Sequence, residues 1–165
     1  AQQLETQRQL GEARAAEGRR GWRGARSRYV ALSSDNGIGT HAREGIARID
    51  EHRRSPIVAS VLSMAIPGAG QVYVGRPGRG IGFLLGTAAA FAGGTLLYLE
   101  ADQRHSQYSA ARDAATATNR YDETRQLWLG SLIAFGVGGA LWLWNVLDAR
   151  SGAATWNSER IGGND

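Results

Sequence analysis

Three histidines and one glycine-rich run are the residues whose types could do chemistry in this chain. His41, His52 and His105 could ligate a metal or move protons, but they are far apart and lack metal-ligand spacing. Ser106 follows His105, yet a serine nucleophile also needs an orienting carboxylate and an oxyanion hole, and the sequence names neither. Gly78-Arg79-Gly80-Ile81-Gly82 invites a phosphate-loop reading. It follows no strand, has the wrong spacing, and the chain contains no Lys to reach a phosphate. Cys is absent too, which removes disulfides, thiolate metal sites and thiol nucleophiles. These residues point away from an enzyme, and neither a cofactor nor a metal is expected.

Arginine among aromatic rings is the other candidate chemistry. All the basic charge is Arg, and eleven of the 19 precede residue 55, so the N-terminal part carries most of it. Arg stays protonated and binds phosphates and carboxylates through two parallel hydrogen bonds. Trp22, Arg23, Arg26, Arg28 and Tyr29 interleave guanidiniums with rings. That pattern suits anionic lipid headgroups or an acidic protein face. Stacking on nucleic acid uses the same residue types, but on a membrane chain nucleic acid is not the expected partner. A GC-rich genome alone would also replace Lys by Arg.

The elements that must position these residues are read from hydropathy. Gly80–Leu99 is an uncharged run of 20 residues and Leu127–Leu147 one of 21. A bilayer core needs about 20. Only Thr87, Thr95, Ser131 and Asn145 interrupt them, so neither shows the polar stripe of a core helix in a soluble protein. Both read as transmembrane helices. Neither holds an acid at mid-depth, which argues against a proton relay. The link 100–126 has no Pro or Gly and is rich in helix formers, so both helices should protrude and turn near Thr116-Ala117-Thr118-Asn119. Before them, residues 56–66 are apolar but would reach only roughly 16 Å as a helix, about half a bilayer core. They read as a half-inserted helix, with a continuous span over 56–75 broken at Pro67 as the alternative.

The N-terminal residues 1–54 read as an Arg-rich extramembrane arm with short helices. Residues 2–20 could form a polar helix with Leu4 and Leu10 as its large apolar side chains, ended by Gly18 and Gly21. Ser34-Asp35-Asn36-Gly37 reads as a turn. Thr40 is the expected cap of a helix over 41–54, with Ala42, Ile46 and Ile49 on one face. Such an arm has few apolar residues and should need a partner to order it. Residues 55–150 form the membrane domain and 151–165 a polar tail. The expected fold is all-α: a membrane hairpin preceded by an interfacial helix and the arm.

Small residues set the expected packing. Gly78, Gly82, Gly86, Ala90 and Gly94 recur every four residues, as do Gly130, Ala134 and Gly138. Such ridges let helix backbones approach closely in lipid, where no hydrophobic force drives association. They should face each other in an antiparallel hairpin, or else serve partner helices. Tyr73, Tyr98, Trp128, Trp142 and Trp144 fall near the span ends, as interfacial aromatics do. Asp148 should pair with Arg76 or Arg79 at one end, unless all three simply face headgroups and water.

The most distinctive stretch is Pro67-Gly68-Ala69-Gly70-Gln71-Val72-Tyr73-Val74-Gly75-Arg76. Pro67 ends a helix, the glycines permit positive φ, and Gln71 can satisfy freed backbone groups. The motif turn of Pro67, Gly68, Gly70, Gln71 and Tyr73 resembles the P-G-x-G-Q-x-Y-x-G element of small bacterial membrane proteins of unknown function, related in pattern to the two-transmembrane-helix domain family. The resemblance continues through Tyr108, Ala111, Tyr121-Asp122 and Arg125 to Asn145-Val146-Leu147-Asp148-Ala149. It covers about residues 55–150. It implies the two-helix architecture and a bacterial inner-membrane location, but no activity. It also implies an exported N-terminal region, as many members carry a secretory signal.

Orientation stays open. Ala1 at the start reads as either a trimmed Met or a signal peptide removed ahead of Ala-Gln-Gln. Arg counts near the span ends put both termini in the cytoplasm, whereas a cleaved signal would put them in the periplasm. The functional expectation is an accessory subunit that braces a larger membrane complex, with a respiratory or photosynthetic complex as a typical host. Other membrane subunits and anionic lipid would be its partners. The alternatives are a self-associating protein that forms a pore or envelope factor and, more remotely, a lipid-surface enzyme.

Overall fold

The computed structural model describes residues 2–109 and 114–162. Every regular element among them is helical: α1 Gln2–Gly18, α2 Trp22–Leu32, α3 Gly39–Asp50, α4 Pro56–Ala65, α5 Ala69–Tyr73, α6 Pro77–Ser109 and α7 Ala114–Arg160. The chain divides into two compact units, residues 1–59 with 150–165, and residues 60–149.

In the first unit α1, α2 and α3 pack on one another. Their core takes Leu10 and Ala13 from α1, Ala25, Tyr29 and Leu32 from α2, and Ala42 and Ile49 from α3. These positions follow the three- and four-residue spacing of a helix face. Ala16, Ile38 and Ile161 complete the core, with Trp22, Ile46 and Trp156 packed against it. The N-terminal segment therefore builds its own hydrophobic centre, which the expectation of an arm ordered by a partner did not foresee. Much of that centre is Ala, whose small side chain lets helices approach without marking an apolar stripe. The tail differs in the same way: residues to Arg160 are helical, and Ile161 is fully buried. Asn157 fastens this segment, accepting from the Arg54 backbone N–H at 2.8 Å and donating to the Arg54 carbonyl at 2.9 Å.

Two local readings need correction. The residue that caps α3 is Ile38 and not Thr40, which lies inside the helix. Asp35 organises the preceding turn instead: its carboxylate accepts from the backbone N–H of Gly37 and Ile38 at 2.8 and 3.2 Å. The reversal expected at 116–119 is also misplaced, because those residues belong to α7. The chain reverses nowhere in the described part of that link, and residues 110–113, with Ala111 of the motif resemblance, lie outside the described residues.

In the second unit α6 and α7 are long and apolar enough to cross a membrane. α6 begins at Pro77 rather than Gly80, since Pro is at ease in the first turn, where its missing N–H costs nothing. Both helices run well past the apolar stretches, as the helix formers of the link require. Between α4 and α6 a left-handed Gly68, at φ 91°, turns the chain into the five-residue α5. That short helix replaces the simple turn read from the sequence.

Candidate functional site

The P-G-x-G-Q segment is held by a set of buried polar side chains, and this is the densest chemistry in the second unit. α4 supplies Ser63, α5 supplies Gln71, and α7 supplies Asn145 and Asp148. Ser63, Gln71 and Asn145 are fully buried. Asn145 accepts from the Gly68 N–H at 2.9 Å and donates to the Ser63 carbonyl at 3.0 Å. Gln71 donates to the Asn145 carbonyl at 2.8 Å and to Asp148 at 3.3 Å. Ser63 receives the Gly70 N–H at 3.1 Å and donates to Gln71 Oε1 at 3.2 Å. Each buried amide or hydroxyl thus answers a backbone group freed by the turn at Pro67 or a partner side chain. Irregular backbone at membrane depth needs this kind of internal satisfaction.

The charged edge of the latch is Asp148, whose side chain is 11% exposed and which meets Arg79 at 3.1 Å. Of the two expected partners, Arg79 makes the contact. Arg76 serves the turn through its backbone, donating N–H to the Gln71 carbonyl at 2.7 Å. Trp142 adds a tie by donating its indole N–H to the Met64 carbonyl at 3.2 Å. Gly68 and Gly80 meet backbone to backbone: a Cβ on Gly80 would lie 2.6 Å from the Gly68 carbonyl oxygen, and one on Gly68 would strike Gly80. Tyr73 is half-buried beside the turn.

The ridge residues divide. A Cβ on Gly94 would sit 3.0 Å from Phe135 and 3.3 Å from Ala134, and one on Gly138 3.3 Å from Ala90 and Phe91. Gly130 faces Leu97, and Gly86 faces Leu141. Partners on α7 therefore run in reverse order to those on α6. Gly82 and Gly78 have nothing within 4 Å, contrary to the expectation that the whole ridge packs. A four-residue step turns about 40° around the helix, so three steps from Gly94 carry Gly82 roughly 120° off the contact line.

The Arg–aromatic stretch of α2 is not a uniform surface. Tyr29 is fully buried and donates to Glu17 at 2.6 Å. Burial, then the Glu17 bond, pushes its phenol up to about 12. Arg48 closes a three-residue network on Glu17 at 3.1 Å and holds that carboxyl below its usual range, with Tyr29 adding to the effect. Arg26 pairs with Asp50 at 3.1 Å. Trp22 meets His52 at 4.8 Å and Trp156 at 6.1 Å in tilted ring contacts, while Arg54 lies over Trp156 at 5.2 Å. Arg23 and Arg28 alone of this group are exposed.

Among the described residues no group of His, Asp and Glu could hold a metal ion. His41 reaches Glu44 and His52 the Arg48 carbonyl, in separate places. Ser63 was not singled out from the sequence. Its one signal is a hydroxyl inside the apolar run 57–66. Comparison with protein-family models, curated proteins and solved structures returns no match.

Proposed function

We propose that this chain is a non-enzymatic accessory subunit, anchored in a bacterial inner membrane by α6 and α7 as an antiparallel hairpin, that braces a larger membrane complex. One observation carries the membrane reading. In the second unit the buried and hydrogen-bonded side chains include Ser63, Gln71, Ser131 and Asn145, while Leu85, Leu96, Ile133, Leu143 and Leu147 are exposed. Water selects the opposite arrangement. A hydrocarbon solvent selects this one, because polar groups must be satisfied inside and apolar ones cost nothing outside. In the most apolar 18-residue stretch of each span only 17% and 11% of the residues are buried, unlike the core helices of a soluble protein.

The reversed order of partners along α6 and α7 supports the hairpin. The ten residues of α4, about 15 Å long, suit a half-inserted segment. The latch supports a structural role, since its donors and acceptors answer one another and leave no nucleophile or acid–base pair poised. Exposed Arg23 and Arg28 on a self-cored helical unit would meet acidic subunits or anionic headgroups.

Self-association is the second reading. Gly93, Gly136 and Gly139 have open space beside them, so small-residue positions remain outside the hairpin contact. Membranes washed with alkaline carbonate should retain the chain, and gentle solubilisation should recover foreign subunits at fixed stoichiometry. Release by carbonate overturns the membrane reading. Recovery as a homo-oligomer alone replaces the accessory role with self-association.

A further inference from the structure

Beside the ends of the two apolar runs, α6 and α7 form a shallow groove of two adjoining cavities. One, of 360 Å³, is lined by His105, Tyr121, Thr124, Arg125 and Trp128. The other, of 240 Å³, shares three of these and adds Tyr98, Ala101 and Asp102. The helix register fixes the levels. Leu97 lies by Gly130, Arg104 pairs with Glu123 at 2.7 Å, and Arg120 donates to Gln107 at 2.6 Å. Each step forward on α6 is a step back on α7, so Asp102 and Arg125 stand level.

These two opposite charges nevertheless do not pair with each other. Neither has a hydrogen bond or ion pair among the described residues, although Arg104 close by is tied to both Glu100 and Glu123. About one turn nearer the apolar runs, the rings of Tyr98 and Trp128, each about half exposed, line the same groove. A carboxylate with aromatic faces attracts an ammonium, and a guanidinium attracts a phosphate. Two opposite charges level with each other along one groove can be bridged by a small molecule that carries both.

We propose that this groove binds the headgroup of a zwitterionic phospholipid with a primary ammonium, of the phosphatidylethanolamine class. Its phosphate meets Arg125, and its ammonium meets Asp102 and the rings of Tyr98 and Trp128. The acyl chains continue over the exposed apolar side chains of Leu129 and Leu132. Asp102 sets the choice of headgroup. A primary ammonium donates hydrogen bonds to a carboxylate, whereas a trimethylammonium has no N–H to donate. A glycerol headgroup brings no cation at all. The proposal rests on the membrane reading of α6 and α7.

The full chain in mild detergent is equilibrated with an equimolar mixture of phosphatidylethanolamine, phosphatidylcholine and phosphatidylglycerol, and retained lipid is counted by mass spectrometry. The expected result is roughly tenfold enrichment of phosphatidylethanolamine, the scale of one charge-assisted hydrogen bond. Asp102→Asn should abolish its advantage over phosphatidylcholine. Arg125→Gln should lower retention of all three alike. Unchanged thermal midpoints of both variants show that the fold is intact, as expected for exposed positions. Equal retention of the three lipids, preference for phosphatidylglycerol, or an unaltered preference in Asp102→Asn overturns the proposal. A chain that stays monodisperse without detergent fails the membrane reading instead, which separates the two.

Discussion

The Asn145 side chain spans the turn that precedes it by most of the second unit: one amide atom accepts from the Gly68 N–H and the other donates to the Ser63 carbonyl. Two backbone groups that no helix can serve are satisfied by one residue. Replacing Asn145 by Leu keeps the volume but strands both in a dry interior. The expected cost is about 1–3 kcal/mol, read as a lower midpoint in detergent-denaturation titrations. Asn145→Asp, which keeps one acceptor for Gly68 but loses the donor to Ser63 and brings a charge into the interior, should be no better tolerated.

The glycines of the motif should rank by geometry. Gly68 combines φ 91° with a backbone neighbour where a Cβ would go, so Gly68→Ala should cost more than about 3 kcal/mol. Gly75 has φ 81° but open space, so its Ala variant should lose only about 1 kcal/mol, the cost of a left-handed non-glycine residue. Gly82→Ala meets nothing and should be neutral or slightly stabilising. The same titrations check the order, and equal midpoints for Gly68→Ala and Gly82→Ala would refute the turn geometry.

The parts of this architecture that the sequence reveals are those set by neighbours along the chain. Two uncharged runs announce α6 and α7, and Pro67 with Gly68 announces the turn. Gln71 can be read as a backbone satisfier because it sits beside the groups it serves. Partners brought from far away leave no such mark. Asn145 is one amide in an apolar run, and only Gly68 and Ser63, 77 and 82 residues back, reveal its role. Tyr29 sits among arginines and looks like a surface ring, yet Gly45 on α3 makes room for it: a Cβ there would lie 2.6 Å from the ring. The first unit hides its core in Ala13, Ala25 and Ala42 and borrows Ile161 from the other end of the chain. Gly82 misled for a different reason, because a strict four-residue repeat drifts around the helix.

If the ridge closes the hairpin internally, bulk should hurt on one side only. Gly138→Ile drives a branched side chain into Ala90 and Phe91, whereas Gly139→Ile points into open space. The first should destabilise by roughly 1–3 kcal/mol, the usual cost of overpacking, and the second should leave the midpoint within about 0.5 kcal/mol. Crosslinking in detergent reports on self-association at the same time. Loss of a crosslinked dimer in Gly139→Ile with an unchanged midpoint would transfer weight to the self-associating reading.

The buried phenol of Tyr29 should give the first unit an alkaline limit. Its folded value, about 12, exceeds its ordinary value of 10.0, so the folded state holds this proton more tightly. The resulting stabilisation is fully present below pH 10 and is lost as pH rises through 12, amounting to roughly 2–3 kcal/mol. Glu17 acts at the other end with opposite sign. Its carboxyl is depressed, chiefly by Arg48, so its contribution holds above the usual carboxylate range and fades as pH falls through the folded value. Tyr29→Phe should cost about 1 kcal/mol at neutral pH for one hydrogen bond and should flatten the alkaline decline. Tyrosinate absorbance is the direct check. The parent chain should show a phenol that titrates near 12, and Tyr29→Phe should lack it. A parent without that late-titrating phenol would mean that Tyr29 is hydrated and that the core around it is open.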